Sequence, residues 1–174
     1  MTQTAPRAAF IITAQLPAEL ATWATALRTA HFPPERNFLD AHVTLFHALP
    51  PSSESEVKRA LADVAAQNSA VPAQIVGIMS LGRGTALKLS SPAMSQIRDE
   101  LASRFHGLLT LQDQQSPRFH ITIQNKVTTE AAKALQSELS PQFAARDFYF
   151  SGLSLHIYRG GPWEHVRSYS FRKS

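Results

Sequence analysis

Short apolar, β-branched runs alternate along the chain with longer stretches in which apolar residues recur every three to four positions. The first pattern is typical of buried strands, and the second is typical of helices that bury one face. Turn residues such as Pro50, Pro51 and the segment Gly82-Arg83-Gly84 separate these stretches. The first half of the chain therefore predicts the order β-α-β-α-β, over residues 8–14, 17–29, 42–49, 52–67 and 73–81.

The second half repeats this order and adds one strand. A strand over residues 85–90 follows the glycine turn closely enough to form a hairpin with the strand before it. Ser91 and Pro92 then provide the start signal of a helix that runs to about residue 105. The remaining prediction is a strand, a helix and two strands, over residues 119–127, 129–139, 148–158 and 165–171. This repeated order indicates an internal duplication.

Each half contains one copy of the same tetrapeptide pattern, His-Val-Thr-Leu at residues 42–45 and His-Ile-Thr-Ile at residues 120–123. The two histidines lie 78 positions apart, and the same offset brings the neighbouring predicted elements of the two halves into approximate register. Side chains alternate between the faces of a strand, so each motif presents an imidazole and a hydroxyl together. Two halves packed about a pseudo-twofold axis would place two histidines and two threonines around one site.

These paired motifs resemble those of the two-histidine (2H) phosphoesterase superfamily, which includes 2′-5′ RNA ligases and cyclic nucleotide phosphodiesterases. The resemblance implies an α+β fold, in which two pseudo-symmetric lobes of antiparallel sheet carry helices on their outer faces and enclose a central cleft. We expect a single bilobal domain over residues 1–174. Its predicted parts are lobe 1 at about 7–81, lobe 2 at about 85–158 and a closing strand at 165–173.

The motif residues suit the opening of a 2′,3′-cyclic phosphate. This reaction needs a base that deprotonates water and an acid that protonates the departing ribose oxygen, and His42 and His120 can divide these roles. The hydroxyls of Thr44 and Thr122 can donate to the non-bridging phosphoryl oxygens. The scheme requires no metal and no cofactor. In families of this kind the reverse reaction joins RNA ends through a 2′-5′ bond, and the motifs do not distinguish the two directions.

Two further residues are candidates for substrate binding. Alternation continued along the second motif strand places Lys126 on the face of His120, where it is either a second cation near the phosphate or a solvated strand-end residue. Phe46 takes the corresponding place on the first strand, where it either stacks on a nucleobase or packs in the core. His156 and Tyr158 share a face of a later strand and could border the cleft.

Composition and charge narrow the class of ligand. Hydrophobic residues make up 44% of the chain and charged residues 17%, as in ordinary globular proteins. A net charge of +4 favours an anionic ligand, but no stripe of Lys and Arg is present for binding a nucleic-acid duplex. There is no cysteine for a disulfide, a thiolate metal site or a nucleophile. The longest apolar run near the N-terminus is far shorter than the roughly 20 residues of a membrane span.

We therefore predict a cytoplasmic monomer that has no obligate protein partner and does not bind membranes. Its substrates would be RNA 3′ ends or small cyclic nucleotides. Two alternatives stay open: a module that binds nucleotides or RNA ends without turnover, and a phosphodiesterase for a non-RNA substrate. A binding module would not need two titrating groups, and this argues against the first alternative. Substrate choice depends on loops at residues 31–40 and 107–118, in which the sequence shows no recognisable pattern.

Overall fold

The computed structural model describes residues 8–173, and this range forms eight strands and five α-helices. The strands are β1 (Phe10–Gln15), β2 (Val43–Leu49), β3 (Val71–Ser80), β4 (Thr85–Ser90), β5 (His120–Gln124), β6 (Arg146–Phe150), β7 (Gly152–Tyr158) and β8 (Trp163–Ser170). The helices are α1 (Ala18–His31), α2 (Glu54–Gln67), α3 (Pro92–Arg104), α4 (Leu111–Gln114) and α5 (Thr129–Leu139). Short 3-10 turns lie at Pro34–Arg36, Pro51–Ser53 and Ser140–Gln142.

The strands form two four-stranded antiparallel sheets. The first sheet has the order β2-β1-β7-β8 and the second has the order β5-β4-β3-β6. One continuous hydrophobic cluster contains side chains from both sheets and from the helices α1, α2, α3 and α5. The predicted α+β fold with two antiparallel sheets is confirmed. Within the described range, no helix has the length and apolarity that a membrane span requires.

The predicted boundaries of the two lobes are wrong. β3 was assigned to the first lobe, but it lies inside the second sheet between β4 and β6. The tight turn at residues 81–84 makes β3 and β4 a hairpin, so they pair with each other whichever half of the sequence they come from. β7 was assigned to the second lobe, but it pairs with β1 in the first sheet. The predicted start of lobe 1 at about residue 7 and the two ends of the predicted domain, residues 1 and 174, fall outside the described residues.

The predicted strand over residues 148–158 is two strands, β6 and β7, which belong to different sheets. The chain passes from the second sheet to the first at Ser151, the one residue between β6 and β7. Gly152 follows at a close approach of two backbones, because a Cβ atom there would collide with the carbonyl oxygen of Tyr169. This crossing joins the two sheets covalently beside their shared core.

The helices α3 and α5 begin close to the residues at which the sequence predicts them to begin, and a side chain caps each start. The Oγ atom of Ser91 accepts a hydrogen bond of 3.1 Å from the backbone N–H of Met94, and Pro92 is the first residue of α3. Thr128 caps α5 in the same way, through a 3.1 Å bond from the N–H of Ala131. Both helices therefore begin at fixed points relative to the motif strands near them.

The two motif strands, β2 and β5, occupy an edge of their respective sheets and contact each other. Each also contains a bulge at the same motif position. In β2, Thr44 and Phe46 pair with consecutive residues of β1, so Leu45 is an extra residue. In β5, Thr122 and Gln124 pair with consecutive residues of β4, so Ile123 is the extra residue. The alternation of side chains between the two faces of the strand is therefore shifted by one residue immediately after each motif threonine.

Candidate active site

The two motif histidines are held in the same way. His42 directly precedes β2, and His120 is the first residue of β5. The Nδ1 atom of His42 lies 2.8 Å from the carbonyl oxygen of Asp40, and the Nδ1 atom of His120 lies 2.7 Å from that of Arg118. A carbonyl oxygen can only accept, so in both residues Nδ1 carries the proton. The Nε2 atom is then the one that can take up or release a proton.

His42 is surrounded by groups that favour its neutral form. Loss of solvation lowers its pKa from 6.5 to about 4, against the opposing effect of its hydrogen bond to the carbonyl of Asp40. The positive charge of Arg28 and the nearby imidazoles of His156 and His120 lower the pKa further. His42 is consequently neutral at pH 7, with the lone pair of its Nε2 atom available as a base.

Thr44 and Thr122 lie on the accessible face of their strands. Each is half-buried, whereas the apolar residues on either side of each threonine are fully buried: Val43, Leu45, Ile121 and Ile123. Up to the bulge, the strand alternation expected for both motifs is therefore present. The structure brings the two His-Thr pairs to the neighbouring edges of two sheets.

Of the two roles predicted for Phe46, packing in the core is confirmed and stacking on a nucleobase is wrong. Its side chain is 0% exposed and packs edge-on against Phe105, with ring centroids 5.4 Å apart. The guanidinium of Arg98 also packs on the ring, with its central carbon 4.1 Å from the ring centroid. The cause is the bulge at Leu45, which turns Phe46 to the face opposite Thr44.

The prediction that Lys126 lies on the same strand face as His120 is also wrong. β5 ends at Gln124, three residues before the predicted end, and Lys126 is an exposed residue in the following turn with a φ of 60°. Gln124 itself turns inward after the bulge at Ile123, and its Oε1 atom accepts a 3.0 Å bond from the hydroxyl of Thr85. Alternation from His120 therefore does not reach Lys126.

A cavity of about 420 Å³ opens beside His42. Its walls come from β1, β7, β8, α1 and the loop before His42. Trp163 forms one side, with its ring centroid 4.5 Å from that of His42 and 5.5 Å from that of His156. Polar groups also line it, among them Thr13 and His165. The cavity combines an aromatic surface with hydrogen-bonding groups, as small-molecule sites commonly do.

His156 is part of this cavity, as its position on a strand face suggested. Its Nε2 atom lies 3.1 Å from the hydroxyl of Thr13. Burial, with a smaller contribution from nearby His165, lowers its pKa to about 4, so His156 is neutral at pH 7. Tyr158, its companion in the sequence argument, is exposed and is not among the residues that line the cavity.

Sequence reasoning missed Trp163, His165 and Thr13. The only available signal for the first two was the Gly-Pro turn before β8, which favours a hairpin with β7. In the structure this pairing sets His165 opposite His156 and Trp163 opposite Tyr158. The register across that turn contains a bulge between Leu155 and His156, and no sequence feature marks it.

Two antiparallel sheets with paired His-x-Thr motifs on their adjoining edges are the arrangement expected for the two-histidine phosphoesterase superfamily. Residues 16–162 match the family model of the 2′-5′ RNA ligase superfamily. The chain belongs to this superfamily. A search of curated protein sequences gave no significant match.

Solved structures with the same fold cover almost the whole chain. Escherichia coli LigT complexed with 3′-AMP has a TM-score of 0.65 at 16% identity, covering 96% of this chain and 99% of LigT. LigT complexed with NADP+ has a TM-score of 0.62 at 14% identity, covering 97% and 100%. TT0787 of Thermus thermophilus has a TM-score of 0.63 at 13% identity, covering 95% and 99%. At these identities the likeness shows the fold alone.

Proposed function

We propose that this protein is a metal-independent phosphodiesterase that opens the 2′,3′-cyclic phosphates of RNA ends or nucleotides. One observation carries the proposal: two His-x-Thr motifs lie on adjoining sheet edges, and both histidines have Nδ1 committed to a backbone carbonyl. The site therefore offers two proton-exchanging Nε2 atoms with a hydroxyl beside each. Joining of RNA ends through a 2′-5′ bond would be the reverse use of the same groups.

The lowered pKa of His42 supports its assignment as the base. Its neutral Nε2 atom takes a proton from water, and the water oxygen forms a bond to phosphorus. As that bond forms, the bond from phosphorus to one ribose oxygen breaks, and protonated His120 gives its Nε2 proton to the departing oxygen. Thr44 and Thr122 donate hydrogen bonds to the non-bridging oxygens, where negative charge accumulates. The product is a nucleoside phosphomonoester.

The cavity beside His42 supports a nucleotide as the substrate. A volume of about 420 Å³ falls within the range of small-molecule sites, roughly 300–1,000 Å³. The indole of Trp163 offers an aromatic surface adjacent to the proposed base. Structures of LigT have been solved with 3′-AMP, ATP and NADP+, which are nucleotides. In our proposal the nucleoside occupies this cavity and the phosphate lies between the two motifs.

A substrate panel tests the proposal directly. 2′,3′-cyclic mononucleotides, oligoribonucleotides with cyclic phosphate ends, 3′,5′-cyclic nucleotides and non-RNA phosphodiesters are assayed in parallel, each with and without EDTA. We expect turnover of the 2′,3′-cyclic substrates alone, unchanged by EDTA. Binding without turnover would instead identify a binding module, and preferred turnover of a non-RNA diester would replace the substrate class. Loss of activity in EDTA that Mg²⁺ or Mn²⁺ restores would overturn the metal-free mechanism.

Single substitutions test the roles of the two histidines. His42→Ala and His120→Ala should each lower turnover by about 10²–10⁴-fold, the usual contribution of one acid or base. Circular dichroism should show that both variants are folded. His106→Ala is the matched control, because His106 is exposed and lies in the turn after α3, and we expect it to retain full activity. Near-full activity in either motif variant would contradict the two-histidine mechanism.

A further inference from the structure

Two arginines are buried at the junction of the two sheets. Arg28 on α1 is 3% exposed and Arg98 on α3 is 4% exposed. A buried guanidinium is tolerated when its N–H groups find acceptors, and both residues do so on a motif strand from the opposite half of the chain. Arg28 donates from Nη1 to the carbonyl of Thr122 at 2.9 Å, and Arg98 donates from Nε to the carbonyl of Leu45 at 3.1 Å.

The carbonyl groups of Thr122 and Leu45 need hydrogen-bond donors because they belong to edge strands inside the molecule. β2 and β5 are edge strands that face each other inside the molecule, and each has a bulge at the motif. Edge strands leave backbone groups without a ladder partner, and a bulge disrupts the ladder further. A buried carbonyl without a hydrogen bond is costly. The arginines supply the hydrogen bonds that a neighbouring strand would otherwise supply.

Arg28 does more than satisfy one carbonyl. Its Nε atom also donates to the carbonyl of Leu39 at 3.1 Å, and its Nε and Nη2 atoms bond the side-chain oxygen of Asn37 at 3.2 and 3.1 Å. Leu39 lies three residues before His42, in the loop that also supplies the carbonyl acceptor of His42. One guanidinium therefore links the loop that holds His42 to the strand segment that holds Thr122.

Arg98 makes a different set of bonds and is a natural comparison. It reaches the backbone carbonyl of Asp113 in addition to Leu45. The carboxylate of Asp113 accepts from the backbone N–H groups of His47 and Ala48, in the part of β2 after the bulge. Arg98 therefore binds β2 at the bulge and, through Asp113, beyond it, and within the described residues it makes no hydrogen bond to the loop before His42.

We propose that Arg28 is a positioning residue, which sets the separation between His42 and the His120-Thr122 motif by binding both backbones with one planar group. This inference rests on the proposed function, in which both motifs act on one phosphate. A guanidinium suits the role because its N–H groups are fixed in one plane, whereas a lysine ammonium on a flexible stem would not hold two backbones at a set distance.

The electrostatics of His42 support this role. Loss of solvation is the largest cause of the low pKa of His42. The groups that also act on His42 are the backbone carbonyl of Asp40 from its own loop, Arg28 from α1, His156 from β7 and His120 from β5. Arg28 is the permanent positive charge among them, and it lowers the pKa of His42. The carboxylate of Asp40 interacts with Arg28 in turn. Removal of the guanidinium should therefore raise the pKa of His42, which a purely structural residue would not do.

The test compares Arg28→Lys and Arg28→Met with the same two substitutions of Arg98. For each variant, the His42 ring proton is titrated by NMR, and kcat and KM are measured across pH with the 2′,3′-cyclic nucleotide that the wild type turns over. Arg28→Met should raise the pKa of His42 above about 4, while the loss of solvation still holds it below 6.5. Arg28→Lys should leave it low and still reduce kcat by about 10²-fold, the effect of a misplacement near 1 Å.

Both Arg98 variants should lower the melting temperature without moving the pKa of His42. Equal effects of the Arg28 and Arg98 substitutions on that pKa would overturn the proposal, as would an Arg28→Lys variant with wild-type kcat. If Arg28→Met does not fold, the kcat of Arg28→Lys decides. If the wild type turns over no cyclic nucleotide, the proposed function fails, while the NMR titration still tests the link between Arg28 and His42.

Discussion

His42 and His156 are neutral in the folded protein because both have a pKa of about 4. In the unfolded chain each returns to a pKa near 6.5. Between pH 4 and pH 6.5 the unfolded state binds more protons than the folded state. The free energy of unfolding therefore has its full value above about pH 6.5 and falls as the pH is lowered towards 4. Urea unfolding at a series of pH values should show this decline.

His156→Gln is the variant that separates this effect from general acid denaturation. Glutamine can keep a hydrogen bond to the hydroxyl of Thr13, but it does not titrate. The variant should lose stability less steeply between pH 6.5 and 4 than the wild type does. Identical slopes for the two proteins would show that His156 does not contribute to the pH dependence.

At the residue scale, the sequence predicted the two His-Thr pairs, because strand alternation requires nothing beyond the neighbouring residues. It failed at Phe46 and Lys126, since a bulge before each of them inserts one residue without a recognisable sequence pattern. It also missed Arg28 and Arg98. Charged residues of helices normally face solvent, and only the packing of two sheets shows that these arginines meet backbone carbonyls.

At the scale of elements, the crossing between β6 and β7 is the most constrained connection. A methyl group at Gly152 would meet the carbonyl oxygen of Tyr169 and would lie 2.8 Å from Oε1 of Gln15. Backbone on the neighbouring strand cannot move aside easily, so Gly152→Ala should lower the free energy of unfolding by about 1–3 kcal/mol, as overpacking does. Chemical denaturation measures this loss.

Gly77→Ala is the matched control, because a methyl group at this β3 position meets no atom within 4 Å. We expect it not to lower the free energy of unfolding, because glycine inside a strand loses more conformational freedom on folding than alanine does. A Gly152→Ala variant as stable as Gly77→Ala would show that the crossing can adjust.

Most helices and strands follow from local patterns of apolar residues, caps and turns. The start of α3 at Ser91 and Pro92 is an example, since the cap and the proline act within one turn of helix. Apolar and aromatic residues continue through segment 148–158, and this pattern predicts one strand. A change of sheet leaves the pattern intact, because only Ser151 separates β6 from β7.

At the scale of the whole molecule, the duplication in the sequence predicted two similar sheets but not how the strands are shared between them. The first half of the chain gives β3 to the interior of the second sheet, and the second half gives β7 and β8 to the first sheet. Periodicity identifies a strand, but its partner is decided by hairpin geometry and by packing in the common core. The lobes of the fold are therefore not the halves of the sequence.

This exchange of strands means that neither half can complete a sheet alone. A cut between Gly82 and Arg83, both exposed in the β3–β4 turn, would give fragments 1–82 and 83–174, each lacking strands that its sheets require. We expect each fragment alone to show no cooperative unfolding by circular dichroism, and an equimolar mixture to regain it. A fragment that folds by itself would contradict this expectation. The two fragments would thus form a complementation pair, in which the return of cooperative unfolding reports that the fragments have met.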